Sequence, residues 1–233
     1  MPVILQNALP AAQSGAPHLP GTMPCDADDW LRLDEAYAAQ MAYRTALLSE
    51  RPQAVLCEST QETGQEILTE ALRVLPGLGF SVTGDVVICP DGREVRCDKA
   101  APLHTLGHLV QEDICILEKQ GDEHVMTSAV LCFPANWRLA EKIGRPLTGI
   151  HEPVDEYDDN IARRVQRLFD GVRVGKPLWR FNKLSYADAD LHQPYKREVT
   201  DQMPFVRSER QCILRLPKTE AVIFTIHTYV VRP

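Results

Sequence analysis

The stretch Val206–Val231, VRSERQCILRLPKTEAVIFTIHTYVV, decides the fold. Two runs rich in β-branched and aromatic residues, Val206–Leu216 and Ala221–Val231, flank the turn formers Pro217–Lys218–Thr219. That pattern predicts an antiparallel hairpin. Upstream, Asp85–Cys89 and Glu94–Cys97 flank Pro90–Asp91–Gly92–Arg93, a turn in which Gly92 supplies the positive φ. Asp113–Leu117 and Val125–Phe133 flank the polar run Glu118–Glu123 and predict another hairpin. Three hairpins imply an antiparallel sheet.

Helices are expected between them. Asp34–Ser49 is rich in helix formers, with Tyr37, Met41 and Leu48 on one stripe. Ser59 followed by Glu62 has the capping-box spacing, and Ile67, Leu68, Ala71, Leu72 and Leu75 fall at helical intervals before Pro76–Gly77. Asp158–Asp170 carries Ile161, Val165, Leu168 and Phe169 on one side and is closed by Gly171, which predicts a helix across the sheet. Helices followed by hairpins, with one long helix inserted, make an α+β fold rather than a parallel βαβ architecture. No Gly-x-Gly-x-x-Gly or phosphate-loop string follows any expected strand, so the sequence marks no nucleotide or flavin site.

A chain of 233 residues, 44% hydrophobic and 24% charged, is long enough to bury a sizeable core in one unit. Met1–Cys25 holds five prolines and reads as an extended arm ahead of a single domain over 26–233. The net charge of −7 gives no electrostatic reason to expect nucleic acid or an anionic membrane as partner. No apolar run approaches the roughly 20 residues that cross a bilayer, and the start has no basic, then apolar, leader, so a cytoplasmic location is expected. The seven cysteines are scattered singly and lack the paired spacing of a zinc or iron–sulfur site. Cys115 and Cys132 read as core residues, although spacing alone leaves a thiolate ligand open.

Five strings hold the candidate chemistry, and each has a bland reading beside it. Gln111–Glu112–Asp113 is either a strand-entry cluster capping backbone groups or a carboxylate site. Glu112 and Asp113 alternate in direction, so only one of them faces any given pocket. In Arg207–Ser208–Glu209–Arg210–Gln211, the charges form a solvated cross-strand ladder or, alternatively, guanidinium forks for carboxylates of a ligand. His104 and His108 share a helical face, but no Glu motif accompanies them and Gly107 weakens the helix. His151 is bracketed by Pro146 and Pro153, which restrict the backbone around a possible axial ligand. Phe133–Pro134–Ala135–Asn136–Trp137 and Lys142–Ile143–Gly144 carry no chemistry by themselves.

Taken together, QEDICIL, CFPANW, EKIGRPLTGIHEPV, RRVQRLF, RSERQ and RLPKTEAVIFTIHTY resemble the haem-dependent oxidative N-demethylases, from about Trp30 to Tyr229. The resemblance implies a PAS-like haem b subunit that oxidises a small secondary amine such as dimethylamine, with dioxygen, to a primary amine and formaldehyde. It implies electrons from NADPH through a separate flavin and iron–sulfur reductase subunit. It also implies His151 as the iron ligand, Arg207 and Arg210 as propionate partners, and Glu112 or Asp113 as catalytic groups for the amine cation or a proton relay. Three positions depart from the family pattern: Asp155 stands where Pro is favoured, Lys183 where Trp is common, and His227 where Arg is frequent. Two alternatives stand beside this reading: a non-catalytic haem or small-molecule sensor, and a haemless structural subunit.

Overall fold

The computed structural model describes residues 3–17, 21–151, 159–196, 200 and 202–233, without the side chains of 151 and 159–163. In chain order the elements are β1 (Met23–Pro24), α1 (Tyr37–Glu50), α2 (Pro52–Val55), β2 (Leu56–Cys57), α3 (Gln61–Val74), β3 (Ser81–Thr83), β4 (Val86–Ile88), β5 (Glu94–Arg96) and α4 (Pro102–Leu109). They continue with β6 (Asp113–Gln120), β7 (Glu123–Val130), α5 (Leu139–Lys142), α6 (Leu147–His151), α7 (Asp159–Gly171), β8 (Leu178–Tyr186), β9 (Phe205–Arg215) and β10 (Val222–Val231).

Seven strands form one sheet in the order β1-β8-β9-β10-β6-β7-β2, and β3-β4-β5 form a small second sheet. Every strand pairing is antiparallel, so the fold is mixed α+β as the hairpins require. The Val206–Val231 hairpin forms in register from Val206↔Val231 to Arg215↔Val222. Its turn closes with the Leu216 N–H donating to the Ala221 carbonyl at 2.9 Å.

Local departures from the sequence reading have local causes. The polar run after Leu117 does not form a loop: both strands continue into it, to Gln120 and from Glu123, and Gly121 turns the chain at φ 63°. Ser59 does not cap α3. Its hydroxyl bonds the Thr127 carbonyl, and Ser128 Oγ accepts from the Ser59 and Thr60 N–H groups at 2.9 and 3.1 Å. Ser128, on a strand remote in sequence, thus holds the segment that leads into α3, and the helix itself has no side-chain cap. The helical path runs on past Pro76–Gly77 to Leu78 and turns at Gly79, φ 89°, while α7 runs through Gly171. Gly107 does not break α4 but lets it meet α1, since a Cβ there would come within 2.8 Å of Leu48 Cδ1. Strand β8 and helix α4 are further elements of the chain.

Strand alternation gives the large sheet two apolar faces. Cys212, Leu214, Ile223, Ile114 and Ile116 pack with Trp30, Met41, Ile67 and Leu106 in the first cluster, under the N-terminal segment and helices α1, α3 and α4. Ile213, Ile226, Cys115 and Leu117 point the other way and pack with Leu147, Ile150 and Phe169 of α6 and α7. The described part of the proline-rich stretch, 3–17, includes a 3-10 turn at Ala11–Gln13 and lies on the protein: Gln6 exchanges backbone and side-chain bonds with Val230, and Gln13 accepts from the Ser208 hydroxyl at 2.7 Å.

Candidate functional site

Glu112 immediately precedes β6, and the β6–β10 register ends at Asp113↔Ile226. The next pair, Glu112 and His227, therefore meets on the first face. His227 Nδ1 lies 2.8 Å from Glu112 Oε1, and Nε2 lies 3.1 Å from Asp34 Oδ2. Burial disfavours charge on this ring, but the Glu112 carboxylate and the Asp34 hydrogen bond outweigh it, and the pKa is raised to about 9. His227 is thus an imidazolium between two carboxylates. Burial likewise opposes ionisation of Asp34, yet its bonds from His227, Gln111 and Gln6 hold its pKa below the ordinary value. Gln111 donates to Asp34 and to Gln40 at 2.8 and 3.0 Å. Glu112 Oε2 is buried and has no partner.

Asp113 is saturated. It accepts from Arg44 Nη1 at 2.7 Å and from the Cys132 and Phe133 N–H groups at 2.7 and 2.9 Å. Arg44 is fully buried on α1 and donates also to the Gln111 and Gly107 carbonyls, the latter made reachable by the side-chain-free Gly107. The strand-entry cluster therefore does cap backbone groups. Arg44 was identifiable by position: it falls three residues after Met41 and four before Leu48, a core position on an apolar stripe.

The charges of β9 are not a solvated ladder. Arg207 and Arg210 are 1% and 2% exposed. Arg207 donates to the Leu191 carbonyl at 2.8 Å, to the Phe133 carbonyl, and to Glu209 Oε1 at 3.2 Å. All three guanidinium nitrogens are engaged inside the protein. Arg210 donates to Asp29 Oδ2 at 2.9 Å and to Cys212 Sγ at 2.8 Å, and stacks over Trp179. It shares the first face with Cys212, beneath the segment that carries Asp29. His151 ends α6, which packs on the second face, and its side chain lies outside the described residues. Arg210 and α6 are consequently on opposite sides of the sheet, and Glu112 is on Arg210's side.

The second face also carries Arg180 of β8, in register with Gln211. Its Nε is buried with no hydrogen-bond partner, and burial lowers its pKa with only Glu209 opposing. Glu209 is already taken by Arg207, Asn182 and Gln211. The signal for Arg180 in the sequence is its place between Trp179 and Phe181, which assigns it to the face opposite two stacked aromatics. Beside this strand a groove of about 430 Å³ is lined by Cys25, Asp26, Val172, Arg173, Lys176 and Leu178. That volume lies within the roughly 300–1,000 Å³ of small-molecule sites.

Fold and buried charges define a mixed α+β protein on an antiparallel sheet, with a network of buried ion pairs and, on β8, one half-buried guanidinium that no carboxylate holds. Over residues 21–232 the chain matches the family described as haem-dependent oxidative N-demethylase, alpha subunit-like, and it belongs to that family. The description carries haem dependence and an N-demethylase-like oxidative activity for the family, and the word subunit is consistent with a partner chain. Among the described residues, no helix is long and apolar enough to cross a membrane.

A haem needs an apolar bed and donors free for its carboxylates. Arg207 fails the second condition, because each of its nitrogens is engaged. On the second face the cross-strand row Leu178–Ile213–Phe224–Cys115 is apolar but is packed under α6 and α7, and the Nε of Arg180 in the next row has no partner.

Proposed function

We propose that this chain is the haem-binding subunit of an oxygenase that demethylates a small secondary amine such as dimethylamine. The match to the family over residues 21–232 carries the reading. In balanced form, dimethylamine, dioxygen, NADPH and a proton give methylamine, formaldehyde, water and NADP⁺. Bound haem b would supply the activation of dioxygen. The electrons come from NADPH through a separate flavin and iron–sulfur reductase. In the protein, His151 at the end of α6 is the proposed iron ligand. The second-face cluster, with Ile150, Leu147 and Ile226, excludes water from the reacting amine. Of the two acids, Glu112 has an unpartnered Oε2 but lies on the sheet face opposite α6, and Asp113 has its oxygens committed to Arg44 and two backbone N–H groups, so either would act on the amine only through the buried network.

The decisive experiment is reconstitution of the full chain with haem b, followed by formaldehyde release from dimethylamine in the presence of reductant and dioxygen. A Soret band with formaldehyde production is the expected result. In His151→Ala the band should shift and added imidazole should restore it. A folded protein without a Soret band would remove the proposal. One observation favours a second reading, a haem sensor without catalysis: the carboxylates Glu112 and Asp113 both serve the buried network. Haem binding with no formaldehyde under any reductant would decide for the sensor.

A further inference from the structure

The seven cysteines divide by their surroundings. Burial pushes the thiols of Cys57, Cys89, Cys97, Cys115 and Cys132 upward, which keeps them protonated and inert. Cys25 and Cys212 instead form a pair against a guanidinium. Strand β1 lays Pro24 beside Leu178, and the Cys25 N–H donates to the Pro177 carbonyl at 3.1 Å, which fixes Cys25 at the edge of β8. Cys212 lies one strand further in, opposite Trp179. Both side chains pack in the first cluster, and their thiols hydrogen-bond to each other. Arg210 Nη1 donates to Cys212 Sγ at 2.8 Å, and the same guanidinium also reaches Cys25.

The two sulfurs are unequal. Cys212 is fully buried, whereas Cys25 is half-buried and lines the groove of about 430 Å³ together with Arg173 and Lys176. Of the two, Cys25 is therefore the one that meets a solute. The bond from Cys212 brings the Cys25 thiol below its ordinary pKa, helped by the charge of Arg210 and opposed by burial and Asp29. That bond, together with burial, pushes Cys212 upward, so Cys212 keeps its proton and Cys25 has the thiolate character. A thiolate with access to solvent is the form of cysteine that oxidants attack. We propose that Cys25 is a site of oxidation by hydrogen peroxide, with Cys212 as its resolving thiol and a Cys25–Cys212 disulfide as the product. In the first step the Cys25 sulfur attacks one peroxide oxygen: the S–O bond forms, the O–O bond breaks, and hydroxide departs. In the second step the Cys212 sulfur attacks the Cys25 sulfenic acid: the S–S bond forms, the S–O bond breaks, and the hydroxyl leaves as water with the Cys212 proton. Two electrons pass from the sulfurs to the peroxide. The disulfide ties the segment after β1 to the central hairpin strand β9.

The test is a hydrogen peroxide titration of the reduced full-length chain, read by thiol counting and by mass spectrometry of non-reduced peptides. Wild type should fall from seven free thiols to five, yield a Cys25–Cys212 cross-linked peptide lighter by two hydrogens, and recover fully with dithiothreitol. Cys57 and Cys97, comparably exposed but with raised thiols, serve as internal controls and should react at least about tenfold more slowly than Cys25. In Cys212→Ser, Cys25 should stop at a sulfenic acid that dimedone traps. In Cys25→Ser, Cys212 should stay reduced, because it is buried and protonated. Oxidation of Cys57 or Cys97 as fast as Cys25 overturns the proposal. So does a cross-link between two copies of the chain through Cys25, or a Cys25 that passes to the sulfinic acid while Cys212 stays reduced. A wild-type chain that keeps all its thiols in excess peroxide overturns it as well.

Discussion

Two regions of the large sheet, the entry of β6 and the middle of β8, treat charge in opposite ways. Under the N-terminal segment, Arg44, Asp113, Glu112, His227 and Asp34 are all buried, and each cation meets a carboxylate within 3.1 Å. Arg180 of β8, by contrast, meets no carboxylate at hydrogen-bond distance, and its Nε is orphaned, as are Arg44 Nη2 and Arg210 Nε, whose other nitrogens are paired. A closed network fixes one arrangement of the core, whereas an open cation leaves stability unclaimed until something binds. His227, as an imidazolium between Glu112 and Asp34, supplies the cation of the first network.

The largest effect is expected from breaking the closed face at Asp113. Asp113→Asn leaves Arg44 charged in the interior and removes an acceptor from the Cys132–Phe133 backbone. A loss of about 3–5 kcal/mol follows from exposing a buried ion to no partner. Urea denaturation measures it, and a loss under about 1 kcal/mol would show that the face is not closed by this pair.

A smaller effect separates the faces by pH. The folded pKa of His227, about 9, lies above its ordinary 6.5. Its stabilisation is therefore complete below pH 6.5 and is lost as the pH rises through 9. Relative to His227→Gln, the wild-type advantage should shrink by about 3 kcal/mol between pH 6 and pH 10, given 1.36 kcal/mol for each unit. An advantage that stays flat across that window would mean that the imidazole is neutral in the native protein.

How far the sequence revealed these faces depended on the range of the interactions. The hairpins at Val86–Arg96, Asp113–Val130 and Phe205–Val231 were readable because pairing partners are close in sequence and turn residues lie between them. Strand β8 was harder: its partner begins nineteen residues after Tyr186, and no short turn announces the pairing. Ser59–x–x–Glu62 suggested a local cap, but α3 has no side-chain cap, and Ser128, 68 residues beyond Thr60, instead holds the segment before it. The candidate site followed the same rule. Arg207, Arg210, Glu112 and Asp113 were visible as charged strings; Glu112 meets its cross-strand neighbour His227, while the other three take partners from Phe133, Leu191, Asp29 and Arg44, none of which is a strand neighbour. A charge pattern gives the side chains available for pairing; only tertiary packing decides which carboxylate or carbonyl each one meets.

The smallest expected effect has the most to say about the comparison, since it reverses sign between two arginines on adjacent strands. In the absence of any ligand, Arg207→Leu strands the Glu209 carboxylate and the Phe133 and Leu191 carbonyls, and should cost about 3 kcal/mol. Arg180→Leu removes a desolvated guanidinium that has no partner and substitutes apolar volume beside Leu178, Ile213 and Phe224. The apoprotein should therefore lose nothing and gain up to about 1 kcal/mol, seen as a small rise in the thermal midpoint. If Arg180→Leu instead destabilises the apoprotein as much as Arg207→Leu does, Arg180 is held as firmly as Arg207, and the contrast between the paired and unpaired arginines of β8 and β9 does not exist.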